Sequence, residues 1–189
     1  MDTKSSSARP HLFLTGKKGV GKSTLIQKRL AEAPGPIGGF LTRKVCLPGF
    51  DGPTVHLLRP GTDDAPANDN LLFYCGDKGR ATAQRFDELA AEALRRSNGA
   101  SLIVMDELGP HEARALGFQA EVRRVLEGDI PVLGVLQEAP SPFLQEIADH
   151  PRVRVVRVTE EDRDRLAEAL LREGWAKSPD PALPFFEEI

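Results

Sequence analysis

Gly16-Lys17-Lys18-Gly19-Val20-Gly21-Lys22-Ser23 fills every fixed position of the pattern G-x-x-x-x-G-K-[ST]. Each residue type in it suits a phosphate. The glycines let backbone N–H groups turn inward, Lys22 brings a cation to the β- and γ-phosphates, and Ser23 offers a hydroxyl to Mg²⁺. Thr24, the next residue, is expected near the α-phosphate. The plain alternative is a Gly-rich turn capped by Ser23. A second group with chemistry is the adjacent pair Asp106-Glu107, which follows the apolar run SLIVM. An acid at the end of a buried strand can orient Mg²⁺ or its water shell, which assigns Asp106 to the metal. Glu107 is then expected to take a proton from the attacking water. The alternative is that two acids simply end a strand or begin a turn.

These residues need a strand, a loop and a helix in that order, and the chain supplies them. His11–Thr15 (HLFLT) reads as a strand, and the apolar spacing of Lys22–Ala33 predicts a helix that Pro34-Gly35-Pro36 stops. Gly38–Val45 and Thr54–Arg59 read as two strands joined by the turn-rich Leu47–Pro53, a hairpin or a pair of edge strands. Residues 60–70 form a loop, Leu71–Cys75 a further strand, and Ala81–Arg96 a helix with Phe86, Leu89, Ala90 and Leu94 on one face. Ser101–Met105 has the continuous apolar character of a buried parallel strand. Helix Glu112–Leu126, strand Ile130–Leu136, a short helix Ser141–Asp149, strand Val153–Val158 and helix Glu160–Glu173 follow. Strands and helices taking turns predict a three-layer α/β P-loop domain, a mainly parallel sheet with helices on both faces and an added hairpin or edge strands. Residues 1–9 read as a loose polar arm, 10–177 as one domain and 178–189 as an irregular tail.

Composition narrows the partners. With 189 residues the chain can bury one sizeable core, and 25 Lys plus Arg against 28 Asp plus Glu give a net charge of -3. No basic run suggests a nucleic-acid surface. No apolar stretch reaches the roughly 18 to 20 residues a bilayer span needs, and the opening MDTKSSSARP lacks the apolar core of a secretory signal, so a cytoplasmic setting is expected. Cys46 and Cys75 have no metal-site spacing and receive no role.

Taken in order, FLTGKKGVGKSTL, GGFLTRKV, LIVMDELGPHE with Phe118, PVLGVL and VTEEDRDRL resemble the P-loop nucleoside-triphosphatases called cancer-related NTPases over nearly the whole chain. The resemblance implies a small α/β enzyme that slowly hydrolyses several nucleoside triphosphates, ATP and GTP among them, with Mg²⁺ as cofactor. Lys22 and Ser23 match the family's P-loop, Asp106 and Glu107 its acidic pair, and Glu112 the acid closing its D-E-x-G-x-x-E stretch. Arg163 matches the Arg of its late N-R-D signature, where this chain has Asp162 in place of Asn, and only Leu47-Pro48-Gly49-Phe50 stands where the family carries G-x-R-x-G-F. Read as residues alone, Arg163 is equally a surface arginine between two aspartates, Glu112 a helix cap, His111 a structural histidine, and Arg43 an open candidate.

The expected site is therefore Lys22 and Glu107 for catalysis, residues 16–24 (Gly16, Lys17, Lys18, Gly19, Val20, Gly21, Lys22, Ser23 and Thr24) with Arg163 for the nucleotide, and Ser23 with Asp106 for Mg²⁺. A small-molecule or nucleoside kinase uses the same loop, and so does a nucleotide-dependent switch coupled to a partner protein. Asp106 followed directly by Glu107 further suggests a strand inserted between the P-loop strand and the acidic strand, with the runs at 38–59 and 71–75 as its source.

Overall fold

A computed structural model describes residues 11–75 and 82–171; the arm at 1–9 and the tail at 178–189 lie outside them. The strands are β1 (His11–Thr15), β2 (Ile37–Val45), β3 (Thr54–Leu58), β4 (Leu71–Tyr74), β5 (Leu102–Leu108), β6 (Val132–Leu136) and β7 (Val153–Arg157). The helices are α1 (Lys22–Ala31), α2 (Thr82–Arg85), α3 (Ala91–Arg95), α4 (Leu116–Leu126), α5 (Pro142–Ala148) and α6 (Arg163–Leu171).

The strands form one sheet in the order β4-β3-β2-β5-β6-β1-β7. β2, β5, β6, β1 and β7 run parallel, while β3 pairs antiparallel with β2 and β4 with β3. The hairpin and edge strands are thus where the turn residues placed them. A strand does lie between the P-loop strand and the acidic strand, as expected, but not from the expected source. The element between the P-loop strand β1 and the acidic strand β5 is β6, and the runs at 38–59 and 71–75 extend the sheet on the far side of β5. β6 is apolar on both faces, with all five residues buried, which suits the centre; β2 exposes Arg43 and Lys44 at the end that turns into the hairpin with β3, farther from the centre.

Alternation along the central strands sends Phe13, Ile103 and Met105 to one face and Leu12, Leu14, Leu102 and Val104 to the other. The first face packs under α3, α4 and α5 through Leu94, Phe118, Val122, Phe143 and Ile147. The second packs under α1 and α6 through Leu25, Ile26, Leu166 and Leu170. This is the layering expected from the sequence, and it leaves the C-terminal ends of the parallel strands as the place for a ligand.

Three elements differ from expectation. The helix predicted at 81–96 is opened by a π turn at Phe86–Ala90, beside which Asp87 Oδ1 accepts the Phe118 N–H at 2.7 Å and so closes the start of α4. The helix predicted from Glu112 begins instead as a 3₁₀ turn, Pro110–Arg114, and restarts at Leu116 because Ala115 leaves helical geometry at ψ 77. β5 runs on through both acids to Leu108, with a break in its register against β6 between Met105 and Leu108.

Candidate active site

The loop between β1 and α1 is held from below and from the side. Gly16 takes φ +129, and a Cβ there would lie 2.6 Å from the Val158 carbonyl oxygen. Gly21, at φ +107, would put a Cβ 2.7 Å from Cδ of Arg163. Neither position accepts a side chain, so both pattern glycines are dictated by backbone and packing. The same measurement locates Arg163: its aliphatic stem lies on the loop, although it sits over a hundred residues downstream in the chain. Thr159 and Asp162 fix the entry to α6 by reciprocal hydrogen bonds of 2.9 and 3.1 Å, which aim the helix start at the loop.

Lys22 opens α1 and folds back across the loop, its Nζ donating to the carbonyls of Gly16 at 2.6 Å and Lys17 at 2.9 Å. Burial lowers its pKa, while Glu107, Glu138 and Asp106 act in the opposite direction through their charge. Ser23 and Thr24 are exposed on the first turn of α1, whose N-terminal amides carry the favourable end of the helix dipole.

Asp106 and Glu107 are neighbours in sequence and opposites in environment. Asp106 is 6% exposed; its Oδ2 accepts the Thr42 N–H at 3.3 Å, and its Oδ1 is buried with no hydrogen-bond partner. Burial, assisted by the charge of Glu107, pushes its pKa up to about 6. A buried carboxylate oxygen with an unused lone pair is the chemistry a hard divalent cation seeks. Among the described residues no cluster of three or more potential ligands forms a closed metal cage. Glu107 has φ +62, the one non-glycine residue among those described with a positive φ. The break in register turns its side chain out of the sheet into an exposed position on a cleft.

That cleft has a volume of about 540 Å³ and brings together Gly16, Lys18, Lys22 and Glu107 from the expected site. Glu112 also lines it, but its Oε2 accepts the Gly109 N–H at 2.9 Å, so it serves as the cap of the 3₁₀ turn, and burial raises its pKa to about 8. Arg43 lies outside the cleft lining, whereas Thr42 and Lys44 on the alternate face of β2 are part of it. His111, given no role from sequence, lines the cleft stacked on Phe73 at 4.5 Å.

Sequence reasoning missed Thr42, Lys44, Gln137 and Glu138. Gln137 and Glu138 directly follow β6, and Gln137 is fastened by its N–H to the Leu108 carbonyl at 2.8 Å. Their position after a buried parallel strand was a usable signal, since ligands gather at those strand ends. Glu138 is ion-paired to Arg157.

A family model described as NTPase matches residues 11–171. The nucleoside-triphosphatase THEP1 of Methanosarcina acetivorans is 32% identical, the match covering 84% of this chain and 93% of that protein. The cancer-related nucleoside-triphosphatase homolog of Bos taurus is 34% identical over 82% of this chain and 92% of its own length. Among solved structures, THEP1 from Aquifex aeolicus superposes with a TM-score of 0.66 at 23% identity, covering 84% of this chain and 95% of that one, and so speaks to the fold. The human cancer-related nucleoside triphosphatase superposes with a TM-score of 0.57 at 26% identity over 85% and 95%.

Proposed function

This chain belongs to the NTPase family, that of the THEP1 and cancer-related nucleoside-triphosphatases, and from that premise we propose Mg²⁺-dependent hydrolysis of ATP, GTP and other nucleoside triphosphates to the diphosphate and phosphate. The observation that carries the reading is the meeting, in one cleft, of a P-loop lysine with a strained acid that the register break turns toward it.

The loop amides and Lys22 hold the β- and γ-phosphates, with Lys22 Nζ exchanging the carbonyls of Gly16 and Lys17 for phosphate oxygens. Ser23 and Asp106 are the residues to hold Mg²⁺, and the unpartnered buried Oδ1 of Asp106 supports their fit to it. Bound there, the ion neutralises charge developing on the phosphates. Glu107 accepts a proton from the water that attacks the γ-phosphorus, and its carboxylate is aimed by the left-handed backbone at its own Cα. Arg163, against Gly21, braces the loop and places its guanidinium beside the nucleotide.

The test is product analysis with ATP, GTP, CTP and UTP, each with Mg²⁺ or with excess chelator, for the wild type and Glu107→Gln. Phosphate and diphosphate in equal amounts are expected, none with chelator. Glu107→Gln keeps nucleotide affinity and loses about 10²-fold in rate, the scale for a general base. Equal phosphate release by the two proteins removes Glu107 from the chemistry.

A further inference from the structure

The cleft of about 540 Å³ runs from the phosphate loop at Gly16, Lys18 and Lys22 past Glu107. Its floor beyond Glu107 is apolar and partly aromatic, made by Val55, Leu72 and Phe73 with His111 stacked on Phe73.

The sheet order gives this floor a direction. Val158 and Arg163, which close on Gly16 and Gly21, come from the β7 side of β1. The apolar floor comes from β3, β4 and the turn after β5, on the opposite side, past the acidic strand. A triphosphate along the loop, with its γ-phosphate at Lys22 and Glu107 and its α-phosphate at the start of α1, keeps its nucleoside toward Arg163. The floor then lies on the far side of the γ-phosphorus, where an attacking group approaches in line.

We propose that this floor is an acceptor subsite for an uncharged, hydroxyl-bearing molecule with a flat ring, of the nucleoside class, to which the enzyme passes the γ-phosphoryl group in place of water. The proposal rests on the hydrolase reading of the phosphate site. A flat ring is matched by the aromatic pair Phe73 and His111, which both line the cleft. Neutrality is matched by the walls: with Lys22 and Lys18 committed to the triphosphate, Lys44 stands against Glu107, so an anionic acceptor meets as much repulsion as attraction. In the step, the acceptor oxygen bonds to the γ-phosphorus. The bond from that phosphorus to the β,γ-bridging oxygen breaks, its electron pair leaving on the diphosphate, and the hydroxyl proton passes to the Glu107 carboxylate.

The experiment uses the full chain, γ-labelled ATP with Mg²⁺, and adenosine, guanosine, cytidine, uridine and thymidine as separate probes, with the matching nucleoside monophosphates as a second set. At least one nucleoside is expected to become labelled while labelled free phosphate falls in proportion. Phe73→Leu keeps the apolar volume and removes the ring face. It should reduce transfer about five- to tenfold, the scale of one stacking contact, and leave acceptor-free hydrolysis and ATP affinity within about twofold. Phe73→Ala should act in the same direction, with folding checked by circular dichroism. Absence of labelled product from every nucleoside, with acceptor-free phosphate release intact, overturns the acceptor subsite and leaves the hydrolase standing. Label passing to monophosphates alone overturns the neutral acceptor. A Phe73→Leu protein with weakened ATP affinity overturns the assignment by making the floor the seat of the triphosphate's own base. Absence of phosphate release without any acceptor is a failure of the hydrolase reading instead.

Discussion

Replacing Glu107 by glycine should give a protein more stable than replacing it by alanine, the reverse of the order found in an ordinary strand. Glu107 holds φ +62 within β5, a left-handed conformation that costs an L-residue roughly 1–2 kcal/mol. Glycine escapes that cost but loses about 0.5–1 kcal/mol through its freer unfolded chain. The balance favours Glu107→Gly over Glu107→Ala by about 0.5–1 kcal/mol, where a normal strand position favours alanine by a similar amount. Alanine is the right control because both variants remove the same carboxylate. Any relief of its repulsion with buried Asp106 and Glu112 therefore cancels between them. For a chain of this size, 1 kcal/mol moves Tm by about 2–4 °C, so the glycine variant should melt about 1–4 °C higher. Both variants should bind nucleotide and fail to hydrolyse it. Calorimetry at several scan rates, with urea titration as a second measure, reads the difference. An alanine variant as stable as the glycine variant or more so would show that position 107 carries no strain, and would remove the backbone argument for how the acid is aimed.

Lys22→Ala should lose most triphosphate affinity at nearly unchanged stability, since its charge is spent on loop carbonyls and phosphate alone; titration of a fluorescent nucleotide against the melting curve checks it. Asp106 has a native pKa raised from 3.8 to about 6. The native state therefore binds the extra proton, and stability without nucleotide falls as pH rises from about 4 to 6. Asp106→Asn should flatten that pH window and stabilise the nucleotide-free fold at pH 7 by up to about 3 kcal/mol, while abolishing turnover or sharply raising the Mg²⁺ requirement; urea titrations across pH and activity against Mg²⁺ concentration test the two halves. In the wild type, protons and Mg²⁺ compete for the same carboxylate, so half-maximal Mg²⁺ should rise as pH drops below about 6. Gly21→Ala should weaken nucleotide binding at least as much as Lys22→Ala, because its Cβ meets the Arg163 stem at 2.7 Å and its φ of +107 disfavours any side chain; an alanine variant with wild-type affinity would show that the Arg163 contact yields freely.

The P-loop, the strand before it and the helix after it were legible from residues 11–33 because they are contiguous: glycine spacing, apolar run and helical period lie within one stretch of chain. Asp106 and Glu107 were legible for the same reason, at the end of an apolar run. What sequence could not settle was which strands lie side by side. β6 fits between β1 and β5 through parallel pairings of residues such as His11 with Val132 and Ile103 with Val132, which no local pattern encodes. Without the strand order, the neighbours of the acids were out of reach: Thr42 and Lys44 arrive from β2, Gln137 and Glu138 from the turn after β6, Phe73 from β4 and His111 from the turn after β5. Arg163 was named only through family likeness, and the fold supplied its physical reason by laying its stem on Gly21. The division of labour between the two acids was also tertiary. Sequence makes them equivalent neighbours, but adjacent strand residues face opposite ways, and only the pairing of β5 with its neighbours decides that Asp106 lies under Thr42 of β2 while Glu107 faces the cleft.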